Sequence, residues 1–424
     1  HPQILRYYYT LTIFLEALMF RKYILGLAIL LVLSACNQVD TTPSATLPEQ
    51  VPSTTLPASP MPATGTPTPT ATVTLPPLPS ATQGPVVYGP TNFPQGINPL
   101  TGLAVADSAL LERRPLAYKI NLVPRDYYRP PWGLSLADIV YDYYHNAGYS
   151  RLHAIFYGQE AELVGAIRSG RLLDQELVRM YQSIFAYGSA DEMVNKRLLN
   201  AEYAYRVFLE GEAAPCPPTA ATGFCRWEPN SYDLLLSSTS ALSQYASNKG
   251  VDNNRQNLDG MSFNSDTPTG GIPGTQLYVR YSGDNYTRWD YDPTSGSYLR
   301  FQDAVYDQGA GEEYAPLIDR LSNEQISAEN VVVLLIRHEY IQQPPNEIVD
   351  ILLSGQGKAY AFRDGQRYEL TWNRPGLNTP LFLTYADGTA YTFKPGQTWF
   401  QVVGTATLIS EPSSGAWKYV HWMP

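Results

Sequence analysis

Short runs of apolar and polar residues follow one another from about residue 96, and their spacing predicts strands and helices in a regular order. Runs 116–122, 138–144 and 151–157 are rich in β-branched, aromatic or alternating residues, which is typical of strands. Helical patterns follow at 171–181, 191–199 and 235–247, and a short apolar strand is predicted at 183–187. This order predicts an N-terminal α/β domain, residues 96–250, with a mixed sheet and flanking helices.

The second half of the chain is dominated by strand-like runs between residues 276 and 403. Asp364-Gly365 and Asp387-Gly388 are two-residue turns that favour tight hairpins, and 292–296 predicts a longer hairpin loop. Residues 312–321 are the strong helix candidate of this half. We therefore expect a mainly antiparallel β domain over residues 257–410, and an α+β or α/β fold class for the whole.

The N-terminal region has the pattern of an export signal. A basic Arg21-Lys22 pair precedes an apolar run, 23–33, that is shorter than the roughly 20 residues a membrane-spanning helix needs. The run ends in Leu33-Ser34-Ala35-Cys36, which resembles a bacterial lipobox and implies cleavage before Cys36 and lipid on its sulfur. Residues 19–35 are thus predicted to be a lipoprotein signal peptide, and residues 1–18 an over-extended gene start.

Composition changes sharply after the predicted lipidation site. Between residues 41 and 85, 28 of 45 positions are Pro, Thr or Ser and Glu49 is the one charged residue, so this segment cannot bury a core. We expect residues 36–95 to be the lipidated Cys36 followed by a stalk. The formal net charge of −10 argues against a nucleic-acid partner, and three Cys and five His without a CxxC or HExxH pattern predict no metal and no cofactor.

Several runs of the globular part resemble the YerB-like bacterial lipoproteins, which carry the DUF3048 domain. The resemblance covers residues 97–405 and includes 98–102 (NPLTG), 133–142 (GLSLADIVYD), 165–171 (GAIRSGR), 355–359 (GQGKA) and 396–399 (GQTW). It implies a lipid-anchored, two-domain protein outside the cytoplasm, and it implies no assigned biochemical activity.

Polar residues of the N-terminal half form the candidate ligand site. Asp138 and Asp142 lie four apart on one predicted strand and share a face, while Arg168 and Arg171 precede a helix where guanidinium groups could hold an anion. The alternative is a set of structural ion pairs among the same side chains. The candidates are Asp138, Asp142, Arg151, Arg168, Arg171, Tyr187 and Ser189, and Ser189 is also expected to cap the following helix.

Two further pairs are open to more than one interpretation. Cys216 and Cys225 lie in one loop of an exported protein, which predicts a disulfide, with two free thiols as the alternative. His145 and His153 flank a turn and lack a third ligand, so exposed histidines at strand ends are favoured over a metal site.

We expect a lipoprotein held by Cys36 on the extracytoplasmic face of the cell membrane, binding an envelope ligand (a glycan or peptide) or a partner protein near the polar cluster. Two alternatives remain. One is an envelope hydrolase that acts on cell-wall material through Asp138 and Asp142, and the other is a protein-interaction scaffold. No complete catalytic set is visible, since a G-x-S-x-G elbow is absent, so whether the protein is an enzyme stays undecided and a non-enzymatic role is favoured.

Overall fold

The alternating runs fold into 26 strands and four α-helices within residues 87–211, 213–229 and 233–423, which are the residues described by this computed structural model. The helices are α1 (Arg125–Tyr128), α2 (Leu172–Tyr181), α3 (Glu192–Leu199) and α4 (Thr239–Asn248). The predicted gene start, signal peptide and Cys36, and the stalk up to residue 86, lie outside the described residues.

The first half of the chain supplies ten strands. They are β1 (Val87–Tyr88), β2 (Leu116–Ile120), β3 (Ile139–Asn146), β4 (Tyr149–Phe156), β5 (Val164–Ile167), β6 (Ile184–Tyr187), β7 (Val207–Leu209), β8 (Ala214–Pro215), β9 (Phe224–Arg226) and β10 (Leu235–Ser237). Strand β1 lies within residues predicted as the end of the stalk. It pairs with a strand of the second half at 263–264, so the fold begins a few residues earlier than expected.

The second half supplies the remaining strands. They are β11 (Phe263–Asn264), β12 (Ile272–Pro273), β13 (Gln276–Arg280), β14 (Tyr286–Asp292), β15 (Ser297–Asp303), β16 (Tyr314–Pro316), β17 (Ser327–Ala328), β18 (Asn330–Ile336), β19 (His338–Gln342), β20 (Ile348–Ile351), β21 (Gly355–Arg363), β22 (Gln366–Arg374), β23 (Phe382–Thr384), β24 (Thr398–Gly404), β25 (Leu408–Ser413) and β26 (Ala416–Val420).

One 15-stranded sheet runs through both halves, in the order β12-β22-β21-β18-β24-β3-β4-β2-β5-β10-β9-β8, with β23, β6 and β7 off this path. The junction is β24, which pairs in parallel with β18 on one side and with β3 on the other. These inner strands are buried along nearly their whole length, as expected for strands covered on both faces. The protein is therefore mostly β with mixed sheets, and the two predicted halves share a sheet.

A second sheet of seven strands packs in the order β16-β15-β14-β13-β26-β25, with β17 on β15. One hairpin of this sheet and one of the 15-stranded sheet follow the turn residues of the sequence. The loop 292–296 joins β14 to β15, and Asp364 (φ 53°) and Gly365 (φ 71°) form the two-residue turn between β21 and β22. Both φ angles are positive, as the tight hairpin turn requires, so these predictions are confirmed.

Two helix predictions were wrong in part or whole. Residues 312–321 form strand β16 and an irregular connection, because Pro316 removes a backbone donor and Glu312 is drawn into ion pairs with Arg280 and Lys418. The predicted helix 235–247 begins as strand β10. Helix α4 starts only after Ser238, whose hydroxyl accepts a hydrogen bond from the Ala241 amide as an N-cap.

Candidate functional site

The segment Gly165–Arg171 leaves β5 and leads into helix α2 beside the ends of β2 and β6. Its course is fixed by backbone bonds to both neighbours: the Arg168 amide donates to the Lys119 carbonyl, and the Gly188 amide donates to the Arg168 carbonyl. The Gly170 amide donates to the Ser189 carbonyl. The arginines of this segment and the serine after β6 are therefore brought together at one end of the sheet.

Below this segment, Asp174 is the centre of a buried polar network. Its carboxylate accepts hydrogen bonds from the Tyr143 hydroxyl (2.5 Å) and the Arg171 amide (2.6 Å), and it lies 2.8 Å from His153 Nδ1 and 3.4 Å from Lys119 Nζ. Burial by itself would raise the pKa of Asp174, but Lys119, His153 and Tyr143 hold it below its usual value. Burial lowers the pKa of Lys119 to about 7, with the Asp174 carboxylate opposing that shift.

Two guanidinium groups, Arg151 and Arg171, lie beside this network. Arg151 Nη1 donates to the Ser169 carbonyl (3.0 Å), and Arg171 Nη1 donates to the Gly170 carbonyl (2.8 Å). Arg171 Nη2 lies 3.3 Å from Nδ1 of buried His145. Among the described residues no carboxylate lies within 4.0 Å of either guanidinium, and Arg151 Nε has no hydrogen-bond partner. Burial, and for Arg151 also repulsion from Arg171, lowers the pKa of both groups.

Positive charge at this end of the sheet exceeds the negative charge in direct contact with it. Within 4.0 Å, Asp174 pairs with Lys119, while Asp191 favours the charged form of Arg171 only from a greater distance. Desolvating a guanidinium without a directly paired anion is unfavourable. An anion that reached Arg171 would therefore gain a charge-assisted hydrogen bond and relieve that repulsion.

Arg171 opens into a cleft of about 470 Å³. One wall carries the hydroxyls of Ser169 and Ser189, which lie 2.8 Å apart and are hydrogen-bonded to each other. The other wall is the connection between β19 and β20, from the second half of the chain, and includes Glu347. The Tyr144 hydroxyl donates to Glu347 (2.6 Å), which ties this connection to β3.

The structure places the other predicted cluster members elsewhere. Asp142 is fully buried and paired with Arg300 of β15 at 2.8 Å, rather than with Arg168 or Arg171. Asp138 accepts from the Asn98 amide group (2.6 Å) and from the backbone amides of Tyr157 and Gly158. Burial raises the pKa of Asp138 to about 6, with those donors opposing the shift.

Asp138 lines a second cleft, whereas Asp142 is sealed in the core. The expected grouping of both carboxylates with the arginines is therefore corrected. Asp138 lies just before strand β3, whereas Asp142 lies within it at a position that the second sheet covers. The local sequence around Asp142 could not predict that Arg300 of this second sheet would be its partner. The basis for a hydrolase acting through this pair is lost, because the two carboxylates do not flank one open site.

Three other predicted residues lie near this segment and make different contacts: Arg168, Tyr187 and Ser189. Arg168 forms an ion pair with Asp233 at 3.0 Å and lies over the Tyr128 ring. The Tyr187 hydroxyl donates to Asn195, so this side chain braces helix α3. The predicted capping role of Ser189 was wrong, since Asp191 caps α3 by accepting from the Met193 amide at 2.8 Å.

The two histidines were also misjudged as exposed. His153 is buried against Asp174, and His145 is buried beside Arg171, because their strands are covered by helix α2 and by the second half of the chain. Within the described residues, no group of three or more His, Cys, Asp or Glu is placed to hold a metal ion. The Cys216–Cys225 disulfide is present, with a sequence separation of 9, which confirms that prediction.

Sequence reasoning missed Lys119, Tyr143, Asp174 and Glu347. Lys119 carried a usable signal, because a lysine inside an otherwise apolar strand, Leu116–Ile120, must find a buried partner. Glu347 gave no signal, since the second half of the chain was not expected to reach this end of the first.

Two family models match this chain, one in each half. The family is described as a protein of unknown function (DUF3048). The model of its N-terminal domain matches residues 100–251, and the model of its C-terminal domain matches residues 277–400. The chain thus belongs to the YerB-like family of bacterial lipoproteins that carry DUF3048 domains.

One relative, the YerB protein of Bacillus subtilis, matches this chain both in sequence and in structure. The protein named "Putative lipoprotein YerB" is 27% identical over 309 residues, which cover 72% of this chain and 85% of the relative. A crystal structure of the YerB protein matches with a TM-score of 0.59 at 25% identity, over 72% of this chain and 96% of that chain. The resemblance predicted from the sequence is confirmed. No helix of the described residues has the length and apolarity to cross a bilayer.

Proposed function

We propose that this protein is a lipid-anchored lipoprotein on the extracytoplasmic face of the membrane that binds an anionic envelope ligand, a glycan or peptide, in the cleft at Arg171. The observation that carries the proposal is the pair of partly buried arginines, Arg151 and Arg171, whose guanidiniums have no carboxylate within 4.0 Å among the described residues. The lipobox-like Cys36 and the lipoprotein relative support the location.

The chemistry of the cleft suits an anion better than a neutral sugar. The guanidinium of Arg171 supplies charge, and the hydroxyls of Ser169 and Ser189 can donate to anionic oxygens once their mutual bond opens. The cleft volume of about 470 Å³ falls in the range of ordinary small-ligand sites, so a terminal or side group of a polymer fits better than an extended chain.

The test is calorimetric titration of the full chain in detergent with three ligands: an oligomer of glycerol phosphate, a peptide with a free carboxylate, and a neutral oligosaccharide. Arg171→Gln should weaken binding of the anionic ligand about tenfold or more, because a charge-assisted hydrogen bond is lost. Arg337→Gln is the matched control, because the Arg337 side chain is 72% exposed and its Glu339 partner is also exposed.

Equal affinity for neutral and anionic ligands, or an unchanged affinity in Arg171→Gln, would overturn the proposal. Inorganic sulfate in excess should compete with a true anion ligand. Near-ultraviolet circular dichroism of each variant separates a loss of binding from a loss of fold.

A further inference from the structure

The cleft at Arg171 also contains negative charge. Asp191, the N-cap of α3, and Glu347, from the connection between β19 and β20, line the same space as Arg171. Neither carboxylate has a Lys, Arg or His nitrogen within 4.0 Å among the residues the structure describes. Glu347 accepts one hydrogen bond from Tyr144, and Asp191 accepts one from the Met193 amide, which leaves acceptor capacity on both.

The cationic and acidic groups of this cleft form no direct ion pair with each other within 4.0 Å, although the Asp191 charge favours the charged form of Arg171 from farther away. Arg171 directs Nη1 to the Gly170 carbonyl and Nη2 toward His145, and it forms no ion pair with Asp191 or Glu347. A cleft with one cation and two separated carboxylates, none of which has an ion-pair partner within 4.0 Å among the described residues, is complementary to a ligand that carries both charges.

We propose that the ligand of this cleft is a zwitterion, with its anionic group at Arg171, Ser169 and Ser189 and an ammonium group at Glu347. This inference rests on the proposed anion-binding function and narrows it. Two chemical sources fit the charges: an amino acid or peptide end with a free amine and a carboxylate, or an amino-alcohol phosphate. A purely anionic ligand would instead bring its charge near two carboxylates, which is unfavourable.

The experiment uses two matched pairs of small ligands. One pair is alanyl-alanine, in its L and D forms, and N-acetyl-alanyl-alanine. The other is phosphoethanolamine and N-acetyl-phosphoethanolamine. N-acetylation removes the ammonium charge and keeps the anionic group, so each pair isolates the contribution of the amine. Titration of the full chain in detergent should give about five- to tenfold weaker binding for the acetylated member.

Glu347→Gln is the decisive variant, because the amide oxygen still accepts from Tyr144 while the negative charge is removed. It should reduce the effect of acetylation to less than about twofold, and it should leave affinity for the acetylated ligand the same or higher, because a carboxylate that repels the anionic group is removed. Glu339→Gln is the control on the same hairpin, since Glu339 is exposed and paired with Arg337 away from the cleft.

The outcomes separate the two proposals. If both members of a pair bind equally, and both lose affinity in Arg171→Gln, the anion site stands and the zwitterion inference is overturned. If neither member of either pair binds at millimolar concentration, the anion-binding function itself fails. Tighter binding of the carboxylate pair or of the phosphate pair identifies which source supplies the ligand.

Discussion

The ion pair between Arg300 and Asp142 allows a quantitative test of how the two halves of the chain are joined. The pair links β15 to β3 at 2.8 Å, with side-chain exposures of 1% and 0%. Arg300 also lies against two tryptophans, 5.1 Å from the Trp289 ring and 4.3 Å from the Trp399 ring. Its guanidinium is therefore stacked as well as paired, and water cannot replace it.

Arg300→Met should lower the free energy of unfolding by about 3–5 kcal/mol, because it leaves a buried carboxylate without a counter-charge. Asp142 Oδ1 already lacks a hydrogen-bond partner, so the remaining carboxylate has no second donor to compensate. A typical domain has a net stability of about 5–15 kcal/mol, so this one substitution removes a large share of it.

The double variant Asp142→Leu/Arg300→Met should cost far less than the sum of the single substitutions. Both charges are removed together and apolar side chains of similar size fill the space. A residual cost of about 1–2 kcal/mol is expected, because Gln302 loses the hydrogen bond that it accepts from Arg300 at 2.8 Å.

Urea unfolding followed by tryptophan fluorescence measures these differences, since Trp289 and Trp399 lie directly against the substituted group. Arg337→Met, which breaks the exposed pair with Glu339, is the control and should change stability by less than about 1 kcal/mol. A single-variant loss below 1 kcal/mol, or a double variant equal to the sum of the singles, would refute the reasoning.

Three further predictions concern pH, the disulfide and the anchor. Burial lowers the pKa of His338 from 6.5 to about 4, so the unfolded state binds the proton first and stability is lost as the pH falls through this window. Between pH 7.5 and 5 the free energy of unfolding of the unmodified chain, measured in urea, should fall by about 2 kcal/mol more than that of the His338→Gln variant. Parallel pH profiles of the two proteins would contradict this. Replacing Cys216 and Cys225 by Ser should lower stability by about 2.5–3 kcal/mol in thermal unfolding, given their separation of 9 residues, and an unchanged midpoint would be contrary evidence. Cys36→Ala should abolish labelling by a radioactive fatty acid and release the protein from the membrane fraction, so persistent labelling would exclude lipidation at Cys36.

Local pattern was sufficient to predict most strands and two helices. The strands at 116–120 and 149–156 and the helices at 172–181 and 192–199 follow their predicted ranges closely, because hydrophobic spacing and turn residues act over a few positions. The predictions that failed depended on distant partners. Glu312 forms ion pairs with residues 32 and 106 positions away, and no periodicity in 312–321 records them.

The sequence analysis named the arginines of the candidate site but not Asp174 at its centre. Arg151 and Arg171 were both among the candidate residues, and they lie close together because both are held by carbonyls of the Ser169–Gly170 turn. Asp142 was assigned to the same group because residues four apart share a strand face, but strand geometry does not say what covers that face. Here the second sheet covers it and supplies Arg300.

The same topology determines which residues each half of the chain contributes to the cleft at Arg171. Strand β24, at residues 398–404, lies between β18 and β3, so the sheet edge that β3 would otherwise expose is paired by a strand of the second half. The parallel register aligns Thr398 with Ile139 and Gln401 with Asp142. Tyr144 on β3 then bonds to Glu347, which sets the connection between β19 and β20 against the cleft at Arg171. The first half supplies Arg171 and Asp191, and the second half supplies Glu347. Charge selectivity in this cleft would therefore depend on the pairing of β3 with β24 as much as on the residues that touch the ligand.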